Sequence, residues 1–344
     1  MSEAADRLYR PLAEVDGWPG AAVDEAAFAE GVARVEAVGG DVGDMVRRDV
    51  LLAAAQRSAG LDAQEGPAHV RSNYDALLLA RGLQELSEAA IRRVHEVACR
   101  PQPTHRVVVD GRVQDHVLAA GDYKHHPNHL RLPSGEWRAR APVALVRPEM
   151  ARLVEAAAAA ANVLARAELL LRALVHVAPF EDGNGRLARA LAGGLVLRMA
   201  PVPPLFAEGG GVVDGFLAAV ARFEAGCADP DAAALARWRV ECEAADRLRS
   251  GLVPAVERAV ERYMARPAGE RRADLSGTTV ERGVIRSAAG VEELLEVDAH
   301  PLDGGPVLVR AQQAGLTVPA GADLDPWLDR VVSVLALRVA AEVG

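Results

Sequence analysis

The chain has 344 residues, half of them apolar and only 4% aromatic, with a formal net charge of −9. That length holds one large domain or two ordinary ones, and the apolar fraction suffices for a sizeable core. The acidic balance excludes a typical nucleic-acid carrier, which is basic, and three scattered cysteines, Cys99, Cys227 and Cys242, exclude a disulfide framework and point to a reduced, cytoplasmic setting.

The first residues, Met-Ser-Glu-Ala-Ala-Asp-Arg, show no apolar leader, so no secretory signal is expected. A helical pattern runs from Ala22 to Val38, where Gly39 and Gly40 end it, and a second from Asp44 to Gln56. Helices follow over Asn73–Gln84 and Ser87–Cys99. Ser87 is the natural start of the latter, and Pro101 and Pro103 stop it. From Arg106 to Pro142 the texture changes. The β-branched Val107–Val109 run, with Asp110-Gly111 and Ser134-Gly135 as turns, predicts hairpins.

Ala151–Val177 reads as one long Ala/Leu helix and Asn184–Met199 as the next, ended by Pro201, Pro203 and Pro204. Asp214–Ala225 and Ala232–Met264 are again helical. Residues 266–274 look like a linker, followed by a strand over Pro306–Ala311 and an amphipathic helix over Leu324–Glu342. The most apolar stretches, near 155–175 and 187–200, are interrupted by Glu155, Arg166, Glu168, Arg172, Arg189 and Arg198, so no membrane span is expected. The expected organisation is an N-terminal helical extension (1–44), a helical catalytic-type domain (45–265) and an accessory segment (266–344).

The chemistry concentrates in residues 178–189, Ala-Pro-Phe-Glu-Asp-Gly-Asn-Gly-Arg-Leu-Ala-Arg. Gly183-Asn184-Gly185 separates two predicted helices and opens the second. Glycines let backbone N–H groups approach an anion, and the helix N-terminus adds a favourable dipole. Arg186 and Arg189, three apart, project from one side of the first turns and suit phosphate oxygens. Asp182 is a hard oxygen donor suited to Mg²⁺, and Phe180 is an apolar pin. A lone Gly-x-Gly is more often a plain turn with salt-bridged arginines; the run taken whole reads as a polyphosphate site.

This segment resembles the signature of the Fic (Fido) domain family, His-Pro-Phe-x-Asp/Glu-Gly-Asn-Gly-Arg-x-x-Arg, and fits eleven of its twelve positions; Ala178 stands where the family carries its catalytic His. The likeness extends further. Ile91–Ala98, with His95, looks like the helix ahead of the family's substrate loop, and Gly121-Asp122-Tyr123-Lys124 looks like its Gly-x-Tyr-Arg start. Leu130–Ala141 looks like the β-hairpin flap that registers a target segment by strand addition, with Leu130, Arg131, Leu132 and Pro133 as its target-binding residues. Asp214–Ala225 and Trp238 resemble the closing helices. The resemblance covers about residues 45–262 and leaves the rest unmatched.

The resemblance implies a mainly α, Fic-type helical domain with a short β-hairpin flap, followed here by a smaller mixed α/β C-terminal segment. It implies transfer of AMP from ATP to a Tyr, Thr or Ser hydroxyl of a protein target. Asp182 would hold Mg²⁺; Gly183, Asn184 and Gly185 would cradle the α- and β-phosphates; Arg186 and Arg189 would take the β- and γ-phosphates. Gly183 and Gly185 stand where a kinase-like branch carries Ala and Lys, which favours nucleotidyl over phosphoryl transfer. Ser58-Ala-Gly-Leu-Asp62 resembles the family's inhibitory Ser/Thr-x-x-x-Glu, with Asp for Glu, and Glu65 is the alternative carboxylate. A plain helix-terminating turn is the other reading. An antitoxin-like inhibitor is a further partner of the family type.

Alanine can neither accept a proton nor bind a metal, and loss of a general base costs about 10²–10⁴-fold in rate. His176, two residues upstream, would point elsewhere from a helix end. An otherwise intact motif is what a deliberate His-to-Ala change leaves, with a natural nucleotide-binding pseudoenzyme, acting as regulator or scaffold, as the alternative. A Fic enzyme with another donor is a third reading. His125, His126 and His129, with Asn128, form a local cluster that reads as a solvated flap tip rather than a metal site, since zinc ligands favour fixed spacings.

Overall fold

The computed structural model describes residues 9–15, 17–18, 23–64, 66–109, 112–131, 137–281, 283–298, 308–319 and 322–343. The chain divides into two compact units, residues 1–230 and 231–344. The boundary therefore precedes the long helix over 232–264, not the expected linker at 266–274.

The first unit contains α1 (Glu25–Glu36), α2 (Gly40–Leu61), α3 (Pro67–Gly82), α4 (Glu88–Cys99), α5 (Val143–Ala159), α6 (Val163–Val177), α7 (Asn184–Val196) and α8 (Val212–Ala228). Two antiparallel hairpins, β1 (Thr104–Val109) with β2 (Arg112–Val117) and β3 (His129–Arg131) with β4 (Trp137–Ala139), lie between α4 and α5. The segment before residue 45 is no separate extension: α1 packs on α8, with the Phe28 and Phe216 rings 4.4 Å apart.

The local reasons are legible. The Ser87 hydroxyl accepts from Ala90 N at 3.2 Å and caps α4, whose Ile91, Val94, His95 and Ala98 form one buried stripe. The expected single helix over 151–177 is instead α5 and α6. The chain turns extended at Ala160, and the Asn162 side chain accepts from Ala165 N at 2.7 Å, restarting the helix. Helix α7 is lined with small residues and packs against α3 and α6. A Cβ at Gly194 would lie 2.5 Å from Ala80 Cβ and 2.6 Å from Arg81 N, so glycine lets α7 seat directly on the α3 backbone.

The second unit holds α9 (Ala232–Met264), a five-stranded antiparallel meander and α10 (Asp325–Val343). Its strands are β5 (Thr279–Glu281), β6 (Val284–Arg286), β7 (Glu292–Asp298), β8 (Leu308–Ala311) and β9 (Leu316–Pro319). The predicted strand near 306–311 and the last helix are present; β5, β6, β7 and β9 were not foreseen. Trp238, expected to close the first domain, lies in α9 and belongs to this unit.

Alternation puts Glu293, Leu295 and Val297 of β7 inward, and the apolar pair joins Trp327, Leu328, Val331 and Leu335 of α10 in one core. Glu293 is wholly buried but answered. It accepts from Gln313 N at 2.8 Å and Ala314 N at 3.1 Å, and pairs with Arg338 at 2.9 Å; burial still pushes its carboxyl upward. Among the described residues, no helix is long and apolar enough to cross a membrane.

Candidate functional site

Helix α6 ends at Val177 and hands the chain to Ala178, whose backbone is left-handed (φ 46°, ψ 66°) while its N–H still donates to Leu174 O at 2.9 Å. Phe180 then turns inward. It is wholly buried and stacks on the His95 ring, with centroids 3.8 Å apart and planes 8° from parallel. Asn184 fastens the loop from inside: its Oδ1 accepts from Phe180 N and its Nδ2 donates to Phe180 O, both at 2.9 Å. Asn128 donates to the same carbonyl at 2.9 Å. Gly183 has φ +75°, and a Cβ there would lie 2.2 Å from Cys99 Sγ. Both the turn and the close approach demand glycine.

His95 is the hinge pin of this arrangement. Gly121 N donates to its Nδ1 at 2.9 Å, so its Nε2 carries the proton and donates to Asp182 O at 2.8 Å. Burial lowers its pKa to about 4, keeping the ring neutral. Burial likewise pushes the neighbouring Cys99 thiol up to about 12, so it stays protonated. The Gly121–Lys124 segment is thus tied to the motif, and Lys124 N adds a bond to Pro179 O at 2.9 Å.

The loop forms one wall of a cavity of about 730 Å³. Ala178, Asp182, Gly183, Asn184, Gly185 and Arg189 all line it. By helix geometry the first N–H groups of α7 have no intrahelical acceptor, so this end offers donors and a favourable dipole to the cavity. Asp182 presents a carboxylate whose Oδ1 accepts from Gly183 N at 2.6 Å and whose Oδ2 accepts from Gln102 at 2.7 Å. Each oxygen keeps a further lone pair, so one carboxylate on the wall of this cavity fits Mg²⁺, which takes few protein ligands.

The two arginines project to one side and meet at one carboxylate, that of Asp62, but they differ in access. Arg189 reaches the cavity, but Arg186 is wholly buried and absent from its lining. Its guanidinium donates to Asp62 Oδ2 at 2.9 Å, to Gln102 Oε1 and to Ala98 O at 3.4 Å. Both arginines reach the carboxylate that ends α2, and Arg186 is further covered by bonds to Ala98 of α4 and to Gln102. Arg189 Nε donates to Ser58 Oγ at 3.0 Å, and Nη2 donates to Ser58 O and Asp62 Oδ1, each at 2.9 Å. Asp62 therefore clamps both motif arginines.

That clamp is held by a helix-ending turn. Gln64 N donates to Ala59 O at 3.0 Å and Ala63 N to Gly60 O at 2.9 Å, with Ala63 at φ 54°: a Schellman motif with alanine where glycine is usual. Glu65, the alternative carboxylate, lies outside the described residues, as do Leu132 and Pro133 of the flap. Leu130 and Arg131 lie in β3, where Leu130 pairs with Arg138 and Arg131 with Trp137.

His176 lines the cavity, yet its Nε2 donates to Arg10 O at 2.8 Å and its ring stacks on Tyr9, 5.1 Å away. His126 departs from the expected solvated tip. It turns onto Glu181, the free position of the motif, whose Oε1 also accepts from His125 N at 2.7 Å. Burial alone would raise the Glu181 carboxyl, but these bonds outweigh it and hold it below the usual range. Gln102, which joins Asp182 to Arg186, was missed in the sequence; its only signal is a polar residue between Pro101 and Pro103.

No family model and no curated protein matches the chain. Solved structures similar to it include a Fic-domain-containing signaling protein from Bacteroides thetaiotaomicron, at 17% identity and a TM-score of 0.41, covering 62% of this chain and 94% of that one. A second is IbpAFic2 covalently tethered to Cdc42, at 15% identity and a TM-score of 0.36, covering 64% of this chain and 76% of that one.

Proposed function

We propose that the first unit is a Fic-type protein adenylyltransferase, built to transfer AMP from ATP to a protein hydroxyl and disabled here by Ala178. The observation that carries this reading is the cavity wall itself. Asp182, the Gly183–Gly185 turn, the start of α7 and Arg189 line one space, and Ala178 lines it too. Polyphosphate would sit at the α7 N-terminus, with Arg189 at its far end. Mg²⁺ at Asp182 would neutralise phosphate charge when nucleotide is bound.

The backbone at position 178 supports a missing histidine. Left-handed conformations are costly for alanine, whereas His, Asn and Asp are enriched there. An imidazole at this position would be carried on the cavity wall, as a base for the target hydroxyl must be. Asp62 supports an inhibited resting form of the same site, since it occupies the arginine that phosphate would need. Glutamate at this place is the family's pattern; aspartate reaches it here from a helix end tightened by the Ala63 turn.

The test is Ala178→His, incubated with Mg²⁺ and ATP labelled at the α-phosphate. Labelled chain or labelled lysate protein is the expected result. A folded Ala178→His protein that binds ATP and labels nothing gives way to the second reading, a nucleotide-binding regulator, which the absent base favours. Label from another nucleotide or phosphocholine donor, with none from ATP, would keep the transferase and change its donor.

A further inference from the structure

In the register of β1 and β2, His105 stands directly opposite His116, so both side chains leave the same face of the hairpin. That face meets His126 and Glu181. The His116 ring lies 5.3 Å from the His126 ring and 6.2 Å from the His105 ring. Glu181 Oε1 is 2.9 Å from His126 Nδ1, and Glu181 Oε2 is 3.6 Å from His105 Nε2. One ligand atom from each of His105, His126 and Glu181 falls within 4.8 Å of the others.

His105 is the unexplained member. It is only 6% exposed, and neither ring nitrogen has a hydrogen-bond partner among the described residues. The 3.6 Å approach to Glu181 is too long for a hydrogen bond. Buried polar atoms without partners are rare in folded proteins and ask for an ion or a ligand.

We propose that His105, His126 and Glu181 form a Zn²⁺ site. Two imidazoles and one carboxylate are a recurrent zinc donor set with a fourth position left over. Ligands about 2.1 Å from a tetrahedral ion lie about 3.4 Å apart, so the observed spacings need only small side-chain adjustments. The fourth position falls to water or to His116. Such an ion satisfies the orphaned His105 ring and ties together three segments that the chain leaves distant: the β1–β2 hairpin, the loop carrying His126 and the motif loop carrying Glu181. It is distinct from the Mg²⁺ role of Asp182 and stands whether or not the chain transfers AMP.

Zn²⁺ is titrated by calorimetry into the full chain stripped of metal with a chelator. The expected result is one Zn²⁺ per chain and a rise in melting temperature. His126→Gln, at a half-exposed position that keeps the fold, should weaken binding about 100-fold or more, since even outer-shell partners are worth about 10–100-fold. Glu181→Gln should do the same, and Asp182→Asn should leave zinc binding unchanged. Absence of zinc binding, or zinc binding untouched by His126→Gln and Glu181→Gln, would overturn the proposal.

Discussion

Asp62 Oδ1 lies 2.9 Å from Arg189 Nη2, so the carboxylate that ends α2 holds the guanidinium lining the cavity. A phosphate entering at the start of α7 must compete with it. Asp62→Asn keeps an oxygen for Arg186 but removes the charge, and a charge-assisted bond is worth about 1.5–3 kcal/mol. Mg²⁺-ATP should therefore bind about ten-fold tighter or more, and Ala178→His should label correspondingly faster when combined with it. Unchanged affinity by calorimetry would reduce the clamp to a structural ion pair.

Ala63 supplies a separate check on the same turn. It is exposed and left-handed. A left-handed alanine costs roughly 1–2 kcal/mol, part of which glycine loses again through unfolded-chain entropy. Ala63→Gly should stabilise the protein by about 0.5–1 kcal/mol, read as a rise in chemical-denaturation midpoint. A loss of stability would mean that alanine makes a contact beyond the turn.

His95 predicts an acid limit. Its folded pKa of about 4 is below the unfolded value, so the folded state binds fewer protons between them. Its contribution is complete above about pH 6.5 and is lost as pH falls toward 4, by roughly 3 kcal/mol at most. Thermal melts should fall between about pH 6.5 and 5, before most carboxylates titrate. In His95→Gln that slope should flatten, and an identical slope would locate the acid sensitivity elsewhere.

Gly183 and Gly185 should separate fold from function. Gly183→Ala combines positive φ with a 2.2 Å clash against Cys99 Sγ, and should cost about 2 kcal/mol or more. Gly185→Ala sits in α7, where alanine gains up to about 1 kcal/mol in helix propensity. Its Cβ would meet Arg189 Nη1 at 2.9 Å, the end of a flexible side chain. It should therefore melt near the parent temperature yet bind ATP more weakly. Equal melting of the two variants would refute the left-handed assignment at 183.

The composition of the motif was sufficient to read a glycine turn and the helix start at Asn184, because those properties depend on residue type and local spacing. Caps and periodicity likewise marked α4, α7 and α9, since Ser87, the apolar stripe and the proline stops act within a few residues. The sequence did not mark the break at Asn162 within an Ala-rich run, nor β5–β7, whose short strands alternate around a charged Glu293. It could not separate Arg186 from Arg189 either. Their spacing puts both on one helical side, and only the bonds to Ala98 and Gln102 that cover Arg186 bury one and leave the other lining the cavity. The same holds for His105, His116, His126 and Glu181. Their meeting depends on hairpin register and on the His95–Phe180 stack that fixes the motif loop, contacts between residues far apart in the chain that only the tertiary fold creates.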